Sequence, residues 1–248
     1  MFDFSIITVV KFSEKTIKKN IISVKEQIHK SYEHIIVCHV NDDKSLKIIK
    51  KFKNNKISLI ISNDNNLYEA MNIGIKHAKG NFITFLNADD VFRNYKVLKY
   101  IKKNIREYPK INSFYGDVEI VKNKQIYRKW NSGNFLRNKF FFGWHPPHPT
   151  LFLRKNISNH NVHFDTKFKI AADYELMIRL FVVKNISSKY CRGCLVKMTH
   201  GGLSSKKFSN IILSNIESYL AWKKHGYFFL VYIVFLKPLR KVFQLFVR

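Results

Sequence analysis

The chain has 248 residues, 46% of them apolar, enough for one sizeable α/β domain, too few for two independent ones, and too apolar for a disordered chain. Lys and Arg outnumber Asp and Glu by 44 to 17, a formal charge of +27 that attracts nucleic acid, anionic lipid headgroups or a diphosphate substrate. The same richness in Lys, Asn, Ile, Phe and Tyr is expected of AT-rich coding. Because no zinc-finger spacing, RNA-recognition signature or heptad basic helix occurs, no specific nucleic-acid partner is expected.

Phe4–Val10 reads as a buried strand, apolar and rich in β-branched residues. Thr16–His29 suits a helix through Ile17, Ile21, Val24 and Ile28. His34–Val40 is a second strand, ending in the polar turn Asn41-Asp42-Asp43. Ser45–Lys53 is helical, and Ile57–Ile61 a third strand. Leu67–Lys79 is a helix packing through Ala70, Met71, Ile73, Gly74 and Ala78, with Gly80 as its stop. Asn81–Leu86 is a fourth strand running into Asn87-Ala88-Asp89-Asp90. Short buried strands alternating with helices predict a doubly wound, mostly parallel sheet whose ligands bind beyond the carboxyl ends of the strands. The polar clusters after the second, third and fourth strands all fall at that edge. The first turn has no GxGxxG, which points away from a dinucleotide enzyme.

Beyond Val91 a helix over Tyr95–Glu107 leads to Ser113–Val121 and then an aromatic, basic stretch to Trp144. The three prolines of His145-Pro146-Pro147-His148-Pro149-Thr150 impose a stiff, non-helical loop. Thr150–Leu153 is a strand, Ala171–Val182 a helix, and a last helix lies near Asn210–His225. Cys191 and Cys194 form a CxxC, but no second pair or nearby His cluster completes a zinc site. With Cys38 they make an odd count without a signal peptide, so a reducing compartment is expected, the cytoplasm. Tyr227–Leu236 is apolar for 10 residues, whereas a spanning helix needs about twenty.

Two constellations carry candidate chemistry. Carboxylates on the turn Asn87-Ala88-Asp89-Asp90 are rigidly placed and mutually repulsive, which suits a hard cation shared with a diphosphate; either Asp could equally cap the next helix. Asp173 opens an otherwise apolar helix, where apolar neighbours could tune it as a base, or where it could cap. His148, on its stiff loop, is open to phosphate, metal or acceptor contact, or to satisfying its own backbone.

Four segments in order resemble the family 2 glycosyltransferases of GT-A fold, especially bacterial members that assemble surface polysaccharide. They are SIITVV at 5–10, SNDNNLYEAMNIGIKHAKGNFITFLNADD at 62–90, HPPHPTLFLRK at 145–155, and FDTKFKIAADYELMIRL at 164–180 followed by GGLS at 201–204. The resemblance implies an α/β GT-A fold with a nucleotide-binding half (1–91) and an acceptor half (92–225), then a basic-aromatic tail (226–248). It implies inverting transfer of a sugar from a nucleotide diphosphate, UDP by default, to an acceptor hydroxyl on a glycan or lipid-linked carrier. Asn87-Ala88-Asp89 falls on the family's metal-binding DxD, with Asp89 the matched ligand and Asp90 and His148 further candidates for Mn²⁺ or Mg²⁺. Thr8, Asp64 and Asn72 fall with the nucleotide-sugar contacts, Asp173 on the general base, and Glu175, like His148, on the acceptor side.

Two departures stand out: Asn87 replaces the first DxD carboxylate, and His39-Val40-Asn41-Asp42-Asp43 replaces the usual Asp-Gly-Gly-Ser-Thr-Asp after the second strand. They motivate an alternative, a non-catalytic basic binding protein on a transferase-like scaffold. The tail interleaves aromatics with Lys237, Arg240, Lys241 and Arg248, which suits an anionic membrane surface, so the expected location is cytoplasmic, on the inner face of the membrane; packing on the body or in a dimer is the competing reading.

Overall fold

A computed structural model describes residues 2–157, 160–201, 208–234 and 236. The N-terminal half alternates strand and helix: β1 (Phe4–Val10), α1 (Ile17–Lys25), β2 (Tyr32–His39), α2 (Asp43–Lys50), β3 (Ile57–Ser62), α3 (Leu67–His77) and β4 (Phe82–Phe85). β1 lies between β2 and β4, with β3 outside β2, and all four are parallel. β1 and β2 are buried along almost their whole length, which their unbroken apolar runs require of a sheet covered on both faces.

β5 (Val91–Phe92), α4 (Val97–Glu107), β6 (Ser113–Lys122), β7 (Gln125–Trp130), β8 (Phe152–Arg154), β9 (Asn156–Ile157), β10 (His160–Asn161), α5 (Ala172–Met177), β11 (Ser188–Thr199) and α6 (Phe208–Lys224) follow, with short 3₁₀ helices at Arg137–Phe142 and at His148–Thr150, the latter inside the proline loop expected to be non-helical. β8 runs antiparallel between β4 and β6, and β11 pairs parallel with β6, so strands of both halves share one mixed, mostly parallel sheet. The expected α/β architecture is therefore the one found.

Several local expectations are corrected. α1 stops at Lys25, and Ile28 beyond it is 42% exposed. The CxxC segment, for which no element is expected, lies in the long strand β11, with a register shift against β6 between Tyr190 and Cys194. Burial pushes the Cys191 thiol up to about 12 and that of Cys194 to about 11, and both are free. The helix expected over 171–182 is α-helical only to Met177; Ile178–Val183 continues it as a π-helical segment.

Gly80 does not cap α3 in a left-handed conformation: the helix gives way at Ala78, which is extended. A Cβ on Gly80 would stand 2.5 Å from the backbone of Phe4 and Ser5, so glycine is needed there for close approach. Gly74 plays the same part between α3 and β1, where a Cβ would collide with Ile7. These two glycines seat α3 directly on the central strand and fix where its N-terminus meets the carboxyl edge of the sheet.

Candidate active site

A cleft of about 840 Å³ opens at the carboxyl edge of β1 and β4. Asp64, Asn87, Ala88, Asp89 and Asp90 line it, together with Lys11, Phe12, Lys15 and Lys169. The turns after β1, β3 and β4 thus converge on one space, as the parallel sheet demands. None of His39–Asp43 is among the lining residues. Asp42 instead caps α2, accepting from the Ser45 backbone N–H at 3.1 Å, and is buried.

The acidic turn is held from behind. Asn20 on α1, fully buried, donates through Nδ2 to the carbonyl oxygens of Asn87 (2.8 Å) and Asp90 (3.0 Å). The Thr8 hydroxyl donates to the Leu86 carbonyl at 2.8 Å and lies 2.9 Å from His34 Nε2. Burial pushes the His34 ring down to about 3, so it is neutral at neutral pH. Thr8 is therefore not on the cleft wall as the resemblance implied: it is fully buried beneath the turn and anchors it.

Asn87 donates its amide to Asp90 Oδ2 at 3.1 Å, and the Thr199 backbone N–H reaches Asp90 Oδ1 at 3.3 Å. Burial and the neighbouring Asp89 charge push the Asp90 carboxyl well above the usual carboxylate range. Asn87 and Asp90 thus lock the turn, while Asp89, half-buried, lies on the cleft.

Asp173 is not itself a lining residue, and two neighbours link it to residues of the cleft. Tyr68, directly after the lining residues Asn66 and Leu67, bonds the Ile170 carbonyl (2.6 Å) and approaches Asp173 Oδ1 at 3.4 Å. Lys169, four residues before Asp173, lines the cleft directly. His148 completes this second group. Its ring stacks on Phe85 at 5.2 Å and meets Phe164 edge-on at 5.6 Å. Burial lowers the ring's pKa, against the opposing pull of the Asp173 charge, and Nε2 has no hydrogen-bond partner among the described residues. His148 therefore sits with Asp173 rather than with the acidic turn.

Two further expectations shift. Asn72 forms a two-way hydrogen bond with the Phe164 backbone, donating at 2.9 Å and accepting at 2.8 Å, so its amide ties α3 to the segment before α5 instead of facing the cleft. Glu175 is completely buried and paired with Arg179 (3.2 Å), Lys224 (2.8 Å) and His225 (2.9 Å), which leaves its carboxylate no path to an acceptor. Burial alone would raise its pKa, but hydrogen bonds from His225, Arg179 and Lys224 outweigh that and hold it at about 2.

Sequence reading missed Asn20, Phe12 and the cleft lysines, because one Asn in a helix and a few Lys among 44 basic residues carry no pattern of their own. It also missed Glu217. From α6, this carboxylate accepts the backbone N–H groups of Lys169, Ile170 and Ala171, each at 2.8 Å. α5 has no capping side chain of its own at Ala171, so a residue 46 positions away does that work. The Gly202, Leu203 and Ser204 of GGLS lie outside the described residues.

The donor set decides what cation could fit. Among the described residues no group of three or more His, Cys, Asp or Glu gathers for a metal. Mg²⁺ and Mn²⁺, however, commonly take one or two carboxylates and complete their shell with water and substrate phosphate. Asp89 on the cleft would offer one carboxylate to an ion shared with a diphosphate, whereas Asp90, buried and bonded by Asn87 and Thr199, serves the turn.

The acidic turn and the lysine-lined cleft lie at the carboxyl edge of a sheet whose fold is of GT-A type, the fold of the solved structures it resembles. The TarS 1-349 structure from S. aureus in complex with UDP-GlcNAc superposes with a TM-score of 0.71 at 19% identity, covering 95% of this chain and 73% of that one. Its complex with UDP gives 0.68, with this chain spanning 65% of that chain's length. The mannosyltransferase PcManGT from Pyrobaculum calidifontis, in complex with GDP-Man and Mn2+, gives 0.65 at 11% identity, covering 95% of this chain and 71% of that one. Residues 5–180 match the profile of glycosyl transferase family 2, and the chain belongs to that family. Its relatives are glycosyltransferases. The PGL/p-HBAD biosynthesis glycosyltransferase of Mycobacterium bovis is 26% identical over 187 residues, 74% of this chain and 72% of that protein. The UDP-Glc:alpha-D-GlcNAc-diphosphoundecaprenol beta-1,3-glucosyltransferase WfgD of Escherichia coli is 27% identical over 203 residues, 80% of this chain and 78% of its own.

Proposed function

We propose that this glycosyltransferase moves a sugar from a UDP-linked donor, with inversion, to a hydroxyl of a glycan or lipid-linked acceptor in surface-polysaccharide assembly. The observation that carries it is the convergence of Asp64, Asp89 and three lysines on one cleft, with Asp173 four residues beyond the lining residue Lys169. Lys11, Lys15 and Lys169 supply positive charge for a diphosphate. Phe12, 67% exposed on the turn after β1 and held at φ 52°, offers an aromatic face for the base in place of Thr8. Asp64, accepting from the Ser62 hydroxyl at 2.6 Å, faces the nucleoside.

Asp89 would hold a divalent cation, which when bound would neutralise charge on the departing diphosphate. Asp173 accepts the proton of the attacking acceptor hydroxyl as its oxygen bonds to the anomeric carbon and the bond to the diphosphate breaks. Burial of His148 and Tyr68 beside it keeps water from that carboxylate on one side. The acceptor of WfgD is named as an alpha-D-GlcNAc-diphosphoundecaprenol, and a lipid-borne acceptor here suits contact between an anionic membrane surface and the basic-aromatic tail over 226–248, of which 237–248 lie outside the described residues.

The test is transfer from a panel of nucleotide sugars, with calorimetry of UDP in the presence and absence of Mn²⁺. Asp89→Ala and Asp173→Asn are expected to lose nearly all turnover while keeping the parent's circular dichroism. Near-normal turnover in the Asp173 variant removes the assignment of the base, and UDP heat that is absent or indifferent to metal removes the cation from Asp89.

A further inference from the structure

α6 has two faces of opposite use. Its inner face buries Glu217, Ser218, Ala221 and Trp222 against the body, with Trp222 Nε1 donating to the Tyr174 hydroxyl at 3.1 Å. Its outer face turns Ile212, Ile216 and Leu220 to solvent at a spacing of four, a continuous apolar stripe. Past the helix, Phe228, Phe229 and Val231 extend the apolar surface; all six side chains are between 42% and 67% exposed. Isolated exposed apolar residues need no explanation, but a stripe running into an aromatic cluster marks an interaction surface.

Charge decides the occupant. Residues 208–236 contain one acidic side chain, Glu217, and it is buried. Lys223 is exposed at the end of the helix, and the sequence places Lys206 and Lys207 before the stripe and Lys237, Arg240 and Lys241 after it. Among the described residues no helix is long and apolar enough to cross a bilayer. An apolar stripe flanked by cations and free of exposed acids matches the interface of an anionic bilayer, where the side chains enter the acyl boundary and the lysines meet phosphate. We infer that the outer face of α6, continued by Phe228–Val231, docks on an anionic lipid surface. This deepens the membrane contact proposed for the tail and moves its centre onto the helix whose inner face grips the backbone before Asp173.

The experiment is co-sedimentation of the full chain with phosphatidylcholine vesicles and with vesicles carrying phosphatidylglycerol. The parent is expected to partition to the anionic vesicles and to release as salt rises. The combined variant Ile212→Glu, Ile216→Glu, Leu220→Glu should lose at least about tenfold in partitioning. Leu220→Trp, which leaves the surface apolar, should shift its emission to the blue on anionic vesicles. Equal partitioning of the triple variant, or an unshifted Leu220→Trp spectrum, overturns the inference. So does a parent that is dimeric in solution and becomes monomeric in the triple variant without binding vesicles, because the face then belongs to a second copy. UDP binding, measured on parent and variant alike, reports the transfer reading separately.

Discussion

Glu217 is the residue through which α6 controls the segment ahead of Asp173, and its removal has a calculable cost. The carboxylate accepts three backbone N–H groups at 2.8 Å, Lys169 on Oε1 and both Ile170 and Ala171 on Oε2, and it is 5% exposed. Glu217→Gln can keep its remaining oxygen on the Ile170–Ala171 pair, but its amide then confronts the Lys169 N–H donor to donor. Losing one charge-assisted bond and weakening two costs about 2 kcal/mol. Glu217→Ala leaves three donors without acceptors in a mostly enclosed site, at roughly 3–5 kcal/mol, a fall in Tm on the order of 10 °C for a chain of this size. Turnover should fall more steeply than stability at a temperature where both variants remain folded, because Lys169 and Asp173 both depend on this segment. The assays are thermal melts and a split of kcat from KM. A cleft distorted at Lys169 raises KM, a displaced Asp173 lowers kcat, and the Gln variant should lie between parent and Ala in both. An Ala variant melting within about 1 °C of the parent would refute the reasoning, since these bonds would then carry nothing.

Four other expectations concern the cleft and its supports. Asn20→Ala removes the donor that holds Asn87 and Asp90, so it should cost about 2 kcal/mol in chemical denaturation and weaken metal-dependent UDP binding, whereas an unchanged denaturation midpoint would mean that water replaces the amide. Phe12→Ala should weaken UDP binding by about 1–3 kcal/mol in calorimetry with no loss of stability; unchanged affinity would take the base away from that ring. Gly80→Ala places a methyl 2.5 Å from backbone that cannot yield, so soluble yield and Tm should both drop, and a parent-like melt would show that β1 can shift. The Glu175 carboxyl is held at about 2 against an ordinary 4.5. A depressed acid pKa stabilises the fold above the unfolded value and loses that contribution as pH falls from about 4.5 to about 2, a change of roughly 3 kcal/mol. Denaturant midpoints of the parent and Glu175→Gln should therefore converge toward pH 2; a constant gap between them contradicts the ion-pair account.

Much of this was written in the chain itself. Continuous apolar runs at Phe4–Val10 and around Ile35 require strands covered on both faces, and alternation with helices then forces a parallel sheet. That in turn puts Asp64 and Asn87–Asp90 at one edge, before any coordinate is known. Local periodicity could not reveal β7 or β11, whose polar and half-exposed residues gain strand character only from pairing with β6. Nor could it tell which polar residues face the cleft. Thr8, Asn72 and Glu175 occupy positions that the family resemblance marks as functional, yet each is consumed by other partners: Leu86, Phe164 and the Arg179–Lys224–His225 cluster. Periodicity and composition act over a few residues and so determine which segments are helix, strand and turn. The direction of a side chain at a strand end, and the donor that meets it, depend on contacts spanning tens to a hundred residues. Those contacts, such as Asn20 under the acidic turn and Glu217 ahead of Asp173, exist only once the chain is packed.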